Sequence, residues 1–405
     1  MKLATSVAIL LAILLAILPA AVQGATNGNT LRCVEPDKVD YDKDYFPEKI
    51  SPEFSKLWEM TYYKTYKILT NKATDKKYAL YQCGTLIPNR VRELVDDAWA
   101  VPLQDGLALS QPATVPQIEQ LGVRRQIKGY VGNPASLSSP CMATLGEEID
   151  GDGSNIFQQI FDSESYYKNG TPKADFITAN PQVAILESSG AGNKTLNWNA
   201  YEENGNKATY EWHKVMGALF NLEKLANEQF DESSDRYDCV SDNAAYLEES
   251  RTSIERRLSV PTRNLAADDT KPVVLWASKA YKQEGFDVAR CDPEFEYYCE
   301  LAASCSSTLL HSNEGSINTY YADGSMHMTV EEFVEFGKDA DVWILPAYVG
   351  DFEDSWYWNH TKDFKSVQNG NVYDIQKSGG NAWFDQRTAE YGKLILYDGS
   401  NFHQS

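Results

Sequence analysis

Asn180–Gly190 reads NPQVAILESSG, and Asp339–Gly350 reads DADVWILPAYVG. Each sets an apolar run behind a short polar breaker and closes it with small residues or turn formers. The run QVAILE has little polar alternation. A strand that meets water on one face alternates, whereas one covered on both faces belongs to a mostly parallel sheet flanked by helices. Upstream, KADFITA predicts a short helix, so the order is helix, breaker, strand and loop. TVEEFVEFGKDADVWILPAYVG gives the same order in the second half. The chain therefore reads as α/β: two similar lobes with mostly parallel sheets, joined by one long backbone helix.

The joining helix is expected between the two units. YEWHKVMGALFNLEKLANEQF has no breaker except Gly217, and Trp212, Val215, Met216, Leu219 and Leu222 recur at helical spacing. From about Asn206 to Phe230 it would span roughly 35–40 Å at 1.5 Å per residue. A second helix, DNAAYLEESRTSIERRL, follows before Pro261. The expected division is a leader at 1–24, an N-terminal lobe at 25–205, a linking helix at 206–238 and a C-terminal lobe at 239–405.

Within the first lobe, residues 25–50 read as an extended lead-in. SPEFSKLWEMTYYKTYKILTN carries a helix start signal at Ser51-Pro52, with Glu53 close behind, and predicts a helix. KYALYQCG predicts a strand, TVPQIEQLGV a short helix closed by Gly122, and QIKGYVG a strand entering a turn. In the second lobe VVLWAS is a buried strand, PEFEYYCELAASCSSTLL a helix, SVQNGNVYDI a hairpin or a strand after an Asn-Gly turn, and AWFDQRTAEYGKLILYD a closing helix.

The first 24 residues, MKLATSVAILLAILLAILPAAVQG, have a basic start, a short apolar run and small residues at a cleavage site, the pattern of a secretory signal peptide. A net charge of -21 excludes nucleic acid as a natural partner and disfavours anionic lipid. Seven cysteines in a secreted chain read as disulfides with one left over, and Cys291, Cys299 and Cys305 are close enough to include a local bridge. Three sequons, at Asn169, Asn193 and Asn359, predict surface positions open to glycosylation.

Several chemistries are disfavoured. GAGNKT at Gly190 lacks the spacing of a phosphate loop. DYDKDYF and DGDGSN lack the glycine and glutamate positions of a calcium loop. The five histidines show no zinc spacing, and no GxSxG elbow occurs. A Ser/His/Asp set assembled in space stays open at this point. No cofactor and no resident metal are expected.

The order of these pieces resembles the helical-backbone class of periplasmic solute-binding proteins, which carry ferric siderophores, haem or cobalamin. IEQLGV resembles the family's Leu-Gly helix end, ANPQVAIL its Pro-Asp strand element, and YEWHKVMGALFNLEKLANE its linking helix. FKSVQNGNVYDI resembles its late hairpin and AWFDQRTAEYGKLIL its closing helix. Gln182 departs from the family's Asp after Pro181, while Asp341 holds that place in the second lobe. The cysteines and the polar insertion at Gly146–Asn155 would suit a secreted eukaryotic relative, such as an algal one.

The resemblance implies a secreted monomer that captures a metal chelate, first of all a ferric siderophore, and hands it to a membrane transporter or receptor. An extracellular enzyme on the same scaffold, a hydrolase or chelatase, is the alternative, and an interaction protein without small ligand a third. Ligands in parallel α/β sheets sit beyond the carboxyl ends of strands. That places Tyr130, Asn133, Ser188, Ser189, Ser278, Tyr281 and Tyr348 in the expected site, with Trp356, Trp358 and Trp383 as aromatic walls. Arg387 is the leading arginine for an anionic chelate, with Arg124, Arg125 and Arg290 also candidates. Trp212 and Trp343, on a periodic helix and a buried strand, belong to the core. Asp175 and Glu332 stand roughly where the family places its permease-docking acids, and ordinary helix-start carboxylates would explain them equally well.

Overall fold

The computed structural model describes residues 28–130, 137–142, 174–187, 192, 194–257, 271–280, 284–291, 297–312, 316–317, 325–346, 356–375, 383, 386–387, 389, 391 and 403–404. The leader, the Gly146–Asn155 insertion, Asn133, Asn169, Ser188, Ser189, Asn193, Tyr281 and Tyr348 lie outside the described residues.

The first sheet contains β1 (Trp58–Tyr62), β2 (Tyr66–Asn71), β3 (Lys76–Gln82) and β4 (Asp97–Val101), in that spatial order, with α1 (Asn89–Arg92) between the last two. The first two pairs are antiparallel and the third is parallel. The helix expected over Ser51–Asn71 is thus a hairpin. Trp58 and Met60 point inward while Glu59 points out, a strand period rather than a helical one. The amides that would have opened a helix are taken elsewhere. Those of Glu53, Phe54 and Ser55 donate to the Glu211 carboxylate, and those of Lys56 and Leu57 to Glu203. The lead-in is also no loose arm. Tyr45, Phe46 and Ile50 are buried in the lobe's core, and Cys33 is disulfide-bonded to Cys83.

The second sheet is wholly parallel: β5 (Leu107–Leu109), β6 (Ile127–Tyr130), β7 (Ala184–Glu187) and β8 (Thr195–Asn197), ordered β6-β5-β7-β8. Here α2 (Val115–Gln120) joins β5 to β6, and α3 (Ala174–Ala179) precedes β7. Every residue of β7 is buried, as the run QVAILE requires.

The single long helix expected from Asn206 is instead two. α4 (Asn206–Ala218) ends at a turn over 219–222, and α5 (Glu223–Arg257) runs for 35 residues, about 52 Å at the α-helical rise. Tertiary contacts make the break. Asn221 is left-handed at φ 58°. Its side chain donates to the Thr30 carbonyl and to Gln82, and accepts from the Lys67 ammonium. Gly217 lets the two helices close up, since a Cβ there would lie 2.5 Å from that of Ala226. α5 begins in the first lobe, with Glu223 paired to Lys67, and reaches the second by Tyr237. The segment expected as a separate second helix is its continuation.

The C-terminal sheet contains β9 (Val273–Lys279), β10 (Phe286–Val288), β11 (Thr308–Leu310), β12 (Ser316–Ile317), β13 (Met326–Met328), β14 (Val342–Leu345), β15 (Val372–Asp374) and β16 (His403–Gln404). Its parallel centre runs β11-β9-β14-β15, so both lobes share the order second, first, third, fourth. That shared order is what the two similar stretches encode. β10, β13 and β12 extend the sheet antiparallel beside the carboxyl half of β9. The helices are α6 (Tyr297–Ser304), α7 (Val330–Gly337), α8 (Trp358–Thr361) and α9 (Lys365–Gln368). A disulfide joins Cys291 to Cys299, the local bridge expected there, but Cys141, Cys239 and Cys305 all stay outside disulfides where a single leftover cysteine is expected. α7 and α9 seal one sheet face, with Phe333, Phe364 and Trp343 in its core. Trp212 and Trp343 are fully buried, as core residues should be. Among the described residues no helix is long and apolar enough to cross a membrane.

Candidate functional site

The carboxyl ends of the parallel strands differ sharply between the lobes. In the first, they turn inward. Tyr130 is buried in the core rather than at an open rim. The Ser110 hydroxyl donates to the Leu186 carbonyl, and Asn197 exchanges hydrogen bonds with the buried Tyr78 hydroxyl at 2.8 and 3.1 Å. Burial pushes that hydroxyl up to about 12. Asn71 closes the edge by donating to the Asn197 carbonyl and to Asn199. Among the described residues these groups satisfy one another.

In the second lobe the end of β9 carries a cation. Lys279 is exposed, and its ammonium lies 4.7 Å from the centroid of the half-buried Trp356. Trp356 rests on Phe286 at 5.1 Å and meets His360 at 4.6 Å. The buried Tyr357 hydroxyl accepts the Lys279 amide at 2.9 Å, fixing the strand end to the start of α8. Burial raises the Tyr357 pKa, so it stays a neutral donor and acceptor. Trp358 packs on the same core, and Asn359 is exposed.

On the other face of the sheet from this group a polar row crosses the strands. Ser278 pairs in register with Asp287, and Asp287 with His327. His327 Nδ1 lies 3.3 Å from Asp287 Oδ1. Gly285, at φ 117°, makes room, because a Cβ would stand 2.8 Å from the imidazole Cε1 and 2.2 Å from the Met328 carbonyl. The carboxylate sits between the serine and the histidine. In a nucleophilic triad the histidine stands in the middle, so these three do not form that relay. Among the described residues no group of three or more His, Cys, Asp or Glu could hold a metal ion.

The remaining expected residues are dispersed. Trp383 and Arg387 lie on the opposite sheet face from Trp356, with Trp383 5.6 Å from Trp276 and the Arg387 guanidinium 4.3 Å over the Tyr297 ring. The Arg387 amide donates to the Trp383 carbonyl at 3.0 Å. Arg124 and Arg125 sit at the amino end of β6, away from any carboxyl end, and Arg124 pairs with Glu119. Arg290 is buried. Glu332 caps α7 in a reciprocal box with Thr329, whose amide and hydroxyl hold the carboxyl below its usual range. α3 contains Asp175, whose side chain is outside the described atoms. Of the expected site, then, the structure brings together Trp356 and Trp358, while Ser278 points from the other face of the sheet. It adds Lys279 and His360 to the two tryptophans, and leaves Asp287 and His327 with Ser278 on the other face. The signal that could have found Lys279 is its place directly after Ser278.

The lobes are tied by polar and aromatic contacts around α4 and α5. Gln120 of the first lobe donates to the Ala389 carbonyl at 2.7 Å and accepts from Tyr210. Gln229 donates to the Gln120 carbonyl and contacts His213 Nε2 at 2.7 Å. Burial pushes His213 down to about 4, so it is neutral in the junction. Glu300 of α6 caps α4 from the other lobe, accepting the Asn206 amide at 2.7 Å where the N-cap is a glycine with no side chain to offer.

No family model matches the chain, and no curated protein does. Solved structures of periplasmic solute-binding proteins are similar to it. A possible iron-binding (periplasmic solute-binding) protein from Staphylococcus epidermidis has a TM-score of 0.42 and 14% identity, over 73% of this chain and 97% of that one. A periplasmic binding protein from Veillonella parvula has a TM-score of 0.46 and 11% identity, over 85% and 97%. The periplasmic haem-binding protein HutB of Vibrio cholerae has a TM-score of 0.43 and 10% identity, over 72% and 99%. At these identities and TM-scores the likeness says nothing about ligand or activity.

Proposed function

We propose that this chain is a secreted solute-binding protein. It takes a bulky aromatic metal chelate, a ferric siderophore first of all, between its two α/β lobes without covalent chemistry, for delivery to a membrane transporter or receptor. The observation that carries this reading is the Lys279–Trp356–His360 group at the carboxyl end of β9. The end of a central parallel strand is where α/β sheets hold ligands. A half-buried indole offers a flat apolar wall, and an exposed ammonium above it offers a positive pole. In a chain of net charge -21, such a fixed cation favours a ligand with a local negative charge.

The test is a tryptophan-fluorescence titration of the purified mature protein with a ferric hydroxamate, a ferric catecholate, haem and cobalamin, confirmed by calorimetry. Saturable binding at micromolar or tighter affinity is expected for one class. Trp356→Ala should weaken it at least about tenfold, and Lys279→Ala should weaken it less while flattening its salt dependence. A folded protein that binds none of the four would overturn the reading and turn attention to the enzyme and interaction alternatives.

A further inference from the structure

The C-terminal sheet has a second feature, on the face opposite Trp356. Val274, Trp276, Leu309 and Ile344 form its floor and α6 one wall, around a cavity of about 240 Å³. Tyr298 and Trp383 flank Trp276 at 5.2 and 5.6 Å between ring centroids, each tilted by 50°. Among the described residues no charged side chain lines the space. Ile344, Tyr373 and Trp383 are only half-buried, so its mouth reaches solvent. Trp276 is 6% exposed, and its indole N–H has no hydrogen-bond acceptor among the described residues.

We infer that this cavity is a small-molecule site distinct from the chelate site, built for a neutral bicyclic aromatic that carries one hydrogen-bond acceptor. Apolar cavities of about 150 Å³ stay dry and take up benzene, so this larger one has room for a fused second ring. Aromatic walls at tilted angles favour a flat guest through edge and face contacts. The uncharged lining rejects an ion, because a buried charge without a partner is costly. An acceptor on the guest would answer the Trp276 N–H. Pro272 and Val342, at the amino-terminal ends of their strands, line the space, which separates it from the end of β9. The inference therefore stands or falls independently of the chelate reading.

The chain carries its own reporter. Cys305 lines the cavity and is half-buried, and neither it nor the exposed Cys141 and Cys239 belongs to a disulfide. The experiment is alkylation of the intact folded protein by iodoacetamide, read peptide by peptide by mass spectrometry, with and without millimolar quinoline. Quinoline should slow modification of Cys305 at least about fivefold and leave Cys141 and Cys239 unchanged. Naphthalene, which has the same shape but no acceptor, should protect Cys305 less at equal concentration. Ala302→Leu, which fills the cavity, should abolish protection. Calorimetric titration of the unmodified chain with quinoline gives a readout that needs no variant. Equal Cys305 rates with and without quinoline, together with no heat of binding, would overturn the inference. Equal protection by naphthalene would overturn the assignment of the Trp276 N–H as anchor. A ferric chelate that binds at Trp356 should leave the Cys305 rate unchanged.

Discussion

The two lobes are built on one strand order and finished in opposite ways. In the first, β7 is buried along its whole length and the strand ends are locked by Asn71, Tyr78, Asn197 and Asn199. In the second, β14 alternates buried and half-buried residues, one sheet face is sealed by α7 and α9, and the other keeps a cavity. Even the start of the sheet is held by a mirrored device. Asp105 before β5 accepts the amide of Gln182 before β7, whereas Asp341 before β14 accepts the amide of Val273 in β9. The carboxylate sought at Gln182 is supplied by the neighbouring strand instead. The difference teaches that a shared topology leaves the finish to side chains: one lobe commits its polar groups to internal closure, and the other leaves aromatic and cationic groups at its rim.

The largest expected effect breaks the closure of the first lobe. Lys67 and Glu223 are both fully buried and ion-paired, with Asn29 donating to the same carboxylate. Burial lowers the Lys67 pKa, against the pull of Glu223. Lys67→Met would leave Glu223 buried without its cation and should cost about 3–5 kcal/mol in urea unfolding. Adding Glu223→Leu should recover most of that loss. If Lys67→Met alone is neutral, the first lobe is not held shut by this pair.

The next test compares strand interiors directly. Ile185 in β7 is fully buried, whereas Ile344 in β14 is half-buried at the cavity. Ile185→Ala should cost about 3 kcal/mol, with a new void, while Ile344→Ala should cost about 1 kcal/mol because it enlarges an existing one. Equal costs would mean that the two lobes are packed alike and would remove the contrast.

Acid should loosen the junction between the lobes. Burial lowers the His213 pKa to about 4, well under the ordinary imidazole range. As pH falls below the unfolded value, the unfolded chain takes up a proton that the folded one refuses, so stability drops until about pH 4, by up to about 3 kcal/mol. Glu300 works the other way. Burial raises its pKa despite the Asn206 amide, so it adds stability as pH falls through its raised value. Denaturant midpoints between pH 7 and pH 4 should therefore fall steeply for the native chain and less for His213→Gln. Glu300→Gln should steepen the fall by removing the opposing contribution. Parallel slopes for all three would show that neither group senses the junction.

Much of the fold was legible because buried parallel strands carry a simple signature. VVLWAS, QVAILE and VWIL lack the alternation of a half-wet strand, and Gly122 marked the end of α2 at φ 71°. What was not legible depends on partners distant in sequence. The turn at Asn221 is fixed by Thr30, Gln82 and Lys67, and the hairpin at Trp58–Asn71 is favoured because Glu203 and Glu211 take the amides a helix would need. The site was legible where it was local. Trp356 and Trp358 lie in polar, loop-like sequence, but the Ser278–Asp287–His327 row also needs β10 to pair with β13, which does not follow it in the chain. The arginines were misleading because a guanidinium suits an anion wherever it stands, and only the fold shows that Arg124 faces the wrong end of its strand.

The smallest effect decides what an acidic residue at a helix start is for. Glu332 and Thr329 exchange hydrogen bonds across the first turn of α7, the helix that seals the closed face of the second lobe. A capping box satisfies two backbone amides that the helix itself cannot. Thr329→Ala should therefore cost about 1 kcal/mol in thermal unfolding. Glu332→Gln keeps an acceptor for the Thr329 amide and should cost less, because only the charge is lost. If instead Glu332→Gln leaves stability untouched yet weakens transfer of ligand to membranes from the source organism, the carboxylate serves a partner rather than the helix. In that case the second lobe's open finish extends beyond its ligand rim to the surface it presents to a receptor.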